Sequence, residues 1–347
     1  MVDSNRIVSF DILKGGGILL VILGHIQIPY MLKTVIYSFH MPLFFFVSGC
    51  FFRPISLREF FAKKTRQLLI PWAFFAFLLF AYLFVLKLNE THNWAKAISL
   101  PVTSMFDGFL GDENSFILFH VIWFLICLFE VSFVYLLIHK ITPYNKALTI
   151  SALCILLYGV GYWLNANNID LPYFIDTTMS TLIYYHLGFC FMRNKWYGMK
   201  VSPIYSLFLL IIAIVFIVLF PSYVDLKSNN FPLHLLLLSM VFIMNFYWFI
   251  NSYFNSRKLK LIPLDKILIW CGINSLALLG LHILFVDTFW IVRNKLHLVN
   301  YSWTILEFAL IVAICYFATT LIKRYIPSVL GLSLIHISEP TRRSYIS

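Results

Sequence analysis

Residues 6–25 read Arg6-Ile-Val-Ser-Phe-Asp11-Ile-Leu-Lys14-Gly-Gly-Gly-Ile-Leu-Leu-Val-Ile-Leu-Gly-His25. The stretch has the length of a transmembrane helix, about 20 mostly apolar residues. It nevertheless holds a carboxylate, an ammonium and an imidazole. Ionisable groups are costly in hydrocarbon, so they face the inside of a bundle or a wet cavity. A helix of this kind needs other helices to cover it. No small-residue cleavage site follows, so the segment reads as a retained helix rather than a signal peptide.

The rest of the chain supplies those partners. Of its 347 residues 61% are hydrophobic and only 12% charged, and Phe alone contributes 36. Mean hydropathy is +0.85. Soluble domains are about 45–50% apolar and about 25% charged. This composition excludes an ordinary cytosolic enzyme, a disordered chain and a nucleic-acid binder. The net charge of +11 is spread thinly between apolar runs, where it sets topology and meets anionic lipid. The six cysteines, all within apolar runs and without metal-type spacing, read as small buried hydrophobes.

Apolar runs between polar or basic breaks predict about ten spans, near 7–29, 33–52, 69–88, 116–138, 147–164, 177–192, 203–220, 232–250, 267–290 and 301–322. The fold class is therefore all-α: a polytopic integral membrane protein with its helices in one bundle. With the N-terminus inside, Arg53, Lys63, Lys140, Arg193, Lys266 and Lys323 fall on the cytoplasmic side, and Glu90, Asp170 and Asp176 outside. That matches the positive-inside bias. Arg293 and Lys295 break the pattern, as loop charges on the outer side. The longest loop, near 89–115, is too short to fold alone. Residues 1–331 read as one transmembrane domain. Leu332-Ser-Leu-Ile-His-Ile-Ser-Glu-Pro-Thr-Arg342 resembles the in-frame translation of an adapter used in short-read DNA libraries, so 332–347 reads as a non-native tail and the natural C-terminus as lost near Gly331.

Embedded polar residues carry the chemistry. Asp11 and Lys14 are three apart and pair on one helix face; a topological ion pair is the plainer reading. His25 lies eleven residues beyond Lys14, close to three full turns and about 16 Å along the axis on the same face. The glycines between them allow close approach of another helix or of a substrate. The second span holds His40 and Pro42, and the proline leaves a backbone carbonyl without its helical donor. The stretch Arg53 to Pro71 holds Lys63, Lys64 and Arg66, either as a lipid anchor or as a cytoplasmic grip on a polyphosphate. No metal-ligand spacing is present; His25 and His40 lie on different helices with no third ligand at helical spacing.

These pieces resemble the membrane acyltransferase-3 family, and within it the fucose O-acetylase-like branch. The resemblance rests on Asp11-x-x-Lys14 with His25, on Ser38-Phe-His-Met-Pro-Leu-Phe-Phe-Phe-Val-Ser-Gly49, and on Lys64-Thr-Arg-Gln-Leu-Leu-Ile-Pro71. Trp123-Phe-Leu and Gly272-Ile-Asn274-Ser275-Leu-Ala-Leu-Leu-Gly-Leu-His282 add to it. Family members commonly carry Arg where this chain has Lys14, which keeps the charge but loses the bidentate fork. The resemblance implies transfer of an acetyl group from acetyl-CoA to a hydroxyl of a carbohydrate or glycolipid acceptor, in a bacterial inner membrane with the N-terminus cytoplasmic. His25 is then the base, and Asp11 and Lys14 orient one another and help hold the donor. Lys63, Lys64 and Arg66 sit where CoA phosphates would lie, with Trp123 also on the donor side. His40, Ser48 or Asn274 would offer a donor to the oxyanion; Ser275 and His282 complete the implied substrate-facing set. No metal and no nucleic acid is implied. The competing reading is a transporter or flippase of glycans or lipid-linked sugars, with buried His and acidic residues relaying protons; the lack of an internal repeat argues against it.

Overall fold

The computed structural model describes residues 8–109, 121–142, 147–221, 233–256, 263–297 and 301–331. The proposed adapter tail, Arg6 and His120 lie outside them. The described chain is built of helices: α1 Val8–His25, α2 Tyr30–Tyr37, α3 His40–Cys50, α4 Leu57–Lys64, α5 Ile70–Thr91, α6 Trp94–Phe109, α7 Trp123–Ile141, α8 Ala147–Ala166, α9 Ile175–Arg193, α10 Pro203–Leu219, α11 Leu233–Ser256, α12 Pro263–Ile273, α13 Ser275–Lys295 and α14 Thr304–Tyr325. Among the described residues, eight helical stretches are long and apolar enough to cross a membrane, with α2 and α3 counted together and α4 joined to α5. The expected sixth and seventh spans correspond to α9 and to the shorter apolar α10. The protein is an all-α polytopic membrane protein.

Several sequence expectations are refined. The second span is not one helix. It breaks at Ser38–Phe39, before the proline rather than at it, because Pro42 has no N–H to return to the carbonyl four residues earlier. Side chains take up part of the loss: Ser38 Oγ donates to the Val35 carbonyl at 2.7 Å and His40 Nδ1 to that of Ile36 at 2.8 Å. The ninth span breaks at Asn274, whose amide Nδ2 donates to the Trp270 carbonyl at 2.7 Å. The basic stretch expected as a loop is the helix α4. Ser56 caps it, accepting from the Glu59 N–H at 3.2 Å, as an S-x-x-E sequence allows. A π-helical turn, Thr65–Leu69, joins it to α5. The long loop near 89–115 contains α6. Asp176, expected in a loop, is buried in the first turn of α9.

Two helix crossings have backbone against backbone. Gly15 of α1 faces the Leu268 carbonyl while Gly272 of α12 faces that of Asp11. Gly49 of α3 faces the Tyr185 carbonyl while Gly188 of α9 faces that of Phe46. A Cβ at any of the four would collide with a carbonyl oxygen. Membrane helices associate through such small-residue surfaces because lipid gives them no hydrophobic drive to pair. The first crossing seats the N-terminal half of α1; the second holds α3 against the centre of the bundle.

Substitution here tests the packing directly. Gly49→Ala or Gly272→Ala should lower stability by about 1–3 kcal/mol, read as a fall in the thermal midpoint of detergent-solubilised protein. Gly159→Ala on α8, where nothing lies within 4 Å, should instead leave it equal or raise it, by up to about 0.5–1 kcal/mol.

Candidate active site

His25 is the last residue of α1. Its Nδ1 lies 2.8 Å from the Val21 carbonyl. His40 and His282 repeat the arrangement, with Nδ1 2.8 Å from the Ile36 carbonyl and 2.9 Å from the Leu278 carbonyl. A carbonyl only accepts, so each Nδ1 carries the proton. In the neutral ring the lone pair then belongs to Nε2. Three imidazoles on three helices are thus held in the same tautomer by their own backbones.

The rings form one cluster. His25 meets His282 edge-on, with centroids 5.1 Å apart. Tyr37 lies 6.1 Å from His25 and 4.9 Å from His40. The break at Asn274 makes this meeting possible. It lets α12 pack on the N-terminal half of α1 while α13 carries His282 to the C-terminal end of the same helix. Of the three, His40 and His282 are buried, His282 completely, and His25 is half-buried.

His25 opens onto a cavity of about 330 Å³ lined also by Gln27, Trp290, Arg293, Asn294, His297 and Glu307. Arg293 of α13 and Glu307 of α14 form an ion pair at 2.7 Å, each side chain only 8% exposed. The Thr304 hydroxyl donates to the Gln27 carbonyl at 2.8 Å, tying the start of α14 to the segment after His25. Arg293 is therefore not the outer loop charge expected from sequence. Helix α13 runs five residues past the expected span and takes Arg293 into the bundle.

The remaining sequence candidates lie elsewhere. Asp11 and Lys14 are paired at 3.0 Å, Lys14 about 16 Å and Asp11 about 21 Å along α1 from His25. Asn274 and Ser275 follow Gly272, which faces Asp11, so they belong to that half of α1. Asn274 is buried, and its Oδ1 has no hydrogen-bond partner among the described residues. Ser48 is eight residues beyond His40, about 12 Å along α3. Lys63 and Arg66 are exposed and Lys64 half-buried. Their segment lies at the far end of the bundle: Gly331, past the C-terminus of α14, takes a left-handed conformation (φ 70°) against the Arg66 carbonyl, whereas Glu307 near the N-terminus of α14 lines the cavity. Trp123 is buried against Phe124 and Phe174 at the start of α7. His186 is buried, with Tyr135 Oη and Ser151 Oγ each 2.9 Å from a ring nitrogen. Glu130 accepts from the Thr178 hydroxyl at 2.8 Å, away from the cluster. Among the described residues no group of three His, Cys, Asp or Glu is placed to hold a metal ion.

Sequence reasoning missed Tyr37, Trp290 and Arg293. Arg293 carried a signal, since it was the charge that spoiled the expected topology.

Fold and site together define the class: a polytopic membrane protein with titratable groups gathered inside its bundle. The chain belongs to the acyltransferase-3 family, whose model, described as an acyltransferase domain, matches residues 7–323. It is similar to nodulation protein NolL of Mesorhizobium japonicum, 31% identical over 159 residues, covering 41% of this chain and 38% of that protein. It is also similar to nodulation protein NolL of Sinorhizobium fredii, 37% identical over 91 residues, covering 22% of this chain and 25% of that protein. The matches thus span well under half the length of these curated relatives. No solved structure matches the chain significantly.

Removing one member of the buried pair leaves the other charge without its counter-ion. Arg293→Ala should cost about 3–5 kcal/mol, and the double replacement Arg293→Met/Glu307→Met should recover most of it. A double-mutant cycle on thermal midpoints in detergent checks both.

Proposed function

We propose that this protein is an integral membrane O-acetyltransferase, moving an acetyl group from acetyl-CoA to a hydroxyl of a carbohydrate acceptor, with His25 as general base. The observation that carries the reading is that, of the three clustered imidazoles, His25 is the one that lines the cavity, with its Nδ1 proton committed to a backbone carbonyl. Nε2 is then the atom that accepts a proton. The family membership supports acyl transfer; the donor, the acceptor class and the base are this proposal's own.

The step balances simply. The acceptor oxygen attacks the thioester carbonyl as its proton passes to His25 Nε2. A C–O bond forms and the C–S bond breaks. The CoA thiolate leaves and takes up a proton, so His25 returns to its neutral form. Tyr37, whose ring lies 6.1 Å from that of His25, has a hydroxyl to offer the oxyanion; neutral His40 has its one N–H committed to the Ile36 carbonyl and so has none to give. Acetyl-CoA would supply the activated acyl group. Exposed Lys63 and Arg66, with half-buried Lys64, suit its phosphates. They lie at the end of α14 opposite the cavity, so the donor would enter from one end and the acceptor from the other. Lys14 and Asp11 lie between. We assign the basic end to the cytoplasm of a bacterial inner membrane, following the positive-inside bias.

The test is acetyl transfer to surface glycan in cells making the parent or His25→Ala at equal membrane level. The variant should lose about 10²–10⁴-fold of the rate. Equal acetylation by both removes His25 from the chemistry. Loss of activity on collapsing the proton gradient, with no acetyl incorporated, points to transport instead.

A further inference from the structure

A second cavity lies away from the histidine cluster, between α7, α8 and the start of α9. It encloses about 360 Å³, within the about 300–1,000 Å³ typical of ligand sites. From the groups that line it we infer a binding site for an amphipathic cation: a membrane-dissolved alkylamine, with its ammonium head on Glu130 and its tail between α7 and α8. Nothing in this site depends on acetyl transfer.

Glu130 decides the head group. Among the described residues it is the only carboxylate lining the cavity, and no Lys, Arg or His joins it there. The Thr178 hydroxyl donates to its Oε2 at 2.8 Å. The acyl-transfer chemistry leaves this carboxyl unused. An acidic group on a membrane helix is costly and calls for a partner. Phe129, Phe133 and Tyr173 stand around it, and aromatic faces attract an ammonium, most strongly where water is excluded. A carboxylate among rings in an apolar wall therefore selects a cation over an alcohol of the same shape. It repels an anionic head outright. A zwitterionic phospholipid would bring a phosphate and find no basic side chain in the lining, so the occupant is a simple amine.

The order of groups along α7 fits a head and a tail. Glu130 lies about 10 Å along the helix from Trp123. Phe133 and Val134 follow one turn further on, with Leu157 of α8 also in the wall. An ammonium at Glu130 would lay its alkyl chain along these three. Tyr173, 53% exposed, stands at the entrance. Tyr173 and Phe174 have φ of 61° and 62°, a left-handed state that bulky residues rarely adopt. Phe174 then packs on Trp123, with centroids 5.9 Å apart, while Tyr173 lines the cavity. Strain of this kind gathers at ligand clamps.

The experiment uses the full chain in nanodiscs and three photoreactive probes with one diazirine-bearing alkyl tail, ending in a primary amine, an alcohol or a carboxylate. Crosslinked residues are mapped by peptide mass spectrometry. Labelling of Ile305, 81% exposed on α14, corrects for partition into the bilayer. The amine should label Phe133, Val134 and Leu157 at least about ten-fold above the alcohol or the carboxylate. Glu130→Gln, which keeps an acceptor for Thr178, should remove that excess and leave the alcohol unchanged. Leu157→Trp, which fills the tail region and leaves the carboxyl intact, should also lower amine labelling of α7 at least about five-fold, and it keeps the test sound if Glu130→Gln folds poorly. Equal labelling by amine and alcohol, or an excess that survives either substitution, overturns the site. So does amine labelling spread evenly over lipid-facing helices, which is partition only.

Discussion

Inside a bilayer a chain must satisfy its own backbone, because lipid offers no hydrogen bonds. Broken helices survive there only where protein surrounds them or where they line a cavity. Among the described residues two spans are broken, at Ser38–Phe39 and at Asn274, and both breaks serve the histidine cluster. At each, a polar side chain supplies a hydrogen bond to a backbone carbonyl: Ser38 and His40 at the first, Asn274 at the second. His40 is therefore part of the repair as well as part of the cluster. The same constraint orients His25 and His282, whose Nδ1 protons go to the preceding turn of their own helices. One physical demand thereby settles the tautomer of all three rings.

Helix α14 measures the two-ended layout. At about 1.5 Å per residue it spans about 33 Å from Thr304 to Tyr325. Glu307 near its start lines the cavity with His25, and Gly331 just past its end packs against the basic segment at Arg66. The exposed basic segment and the His25 cavity therefore stand at opposite ends of α14, with α1 running between.

Much of this was legible in the sequence. Helical length, apolar composition and the Asp11–Lys14 pairing all follow from local spacing, and the pair is present at 3.0 Å. The separation of Lys14 from His25 followed from helical rise. Features that depend on two distant segments were not legible. Arg293 and Glu307 stand on different helices, so no spacing rule links them, and reading Arg293 as a loop charge ended α13 five residues early. His282 was implied by resemblance, but its edge-on contact with His25 depends on the turn at Asn274, which apolar periodicity does not register. Helix α4 is a different case. Its Ser56–Glu59 cap was readable, and the density of basic residues drew the reading towards a loop.

The reciprocal glycine contacts have a mechanical consequence. Where backbone touches backbone, no side chain is present to change rotamer, so the crossing has no soft mode through which to slide. The N-terminal half of α1, clamped through Gly15 and Gly272, is a stiff strut, and His25 is mounted at its far end. Any opening or closing around His25 must then be carried by the surrounding walls, α2 beyond the break and α13 beyond Asn274, moving about a fixed imidazole.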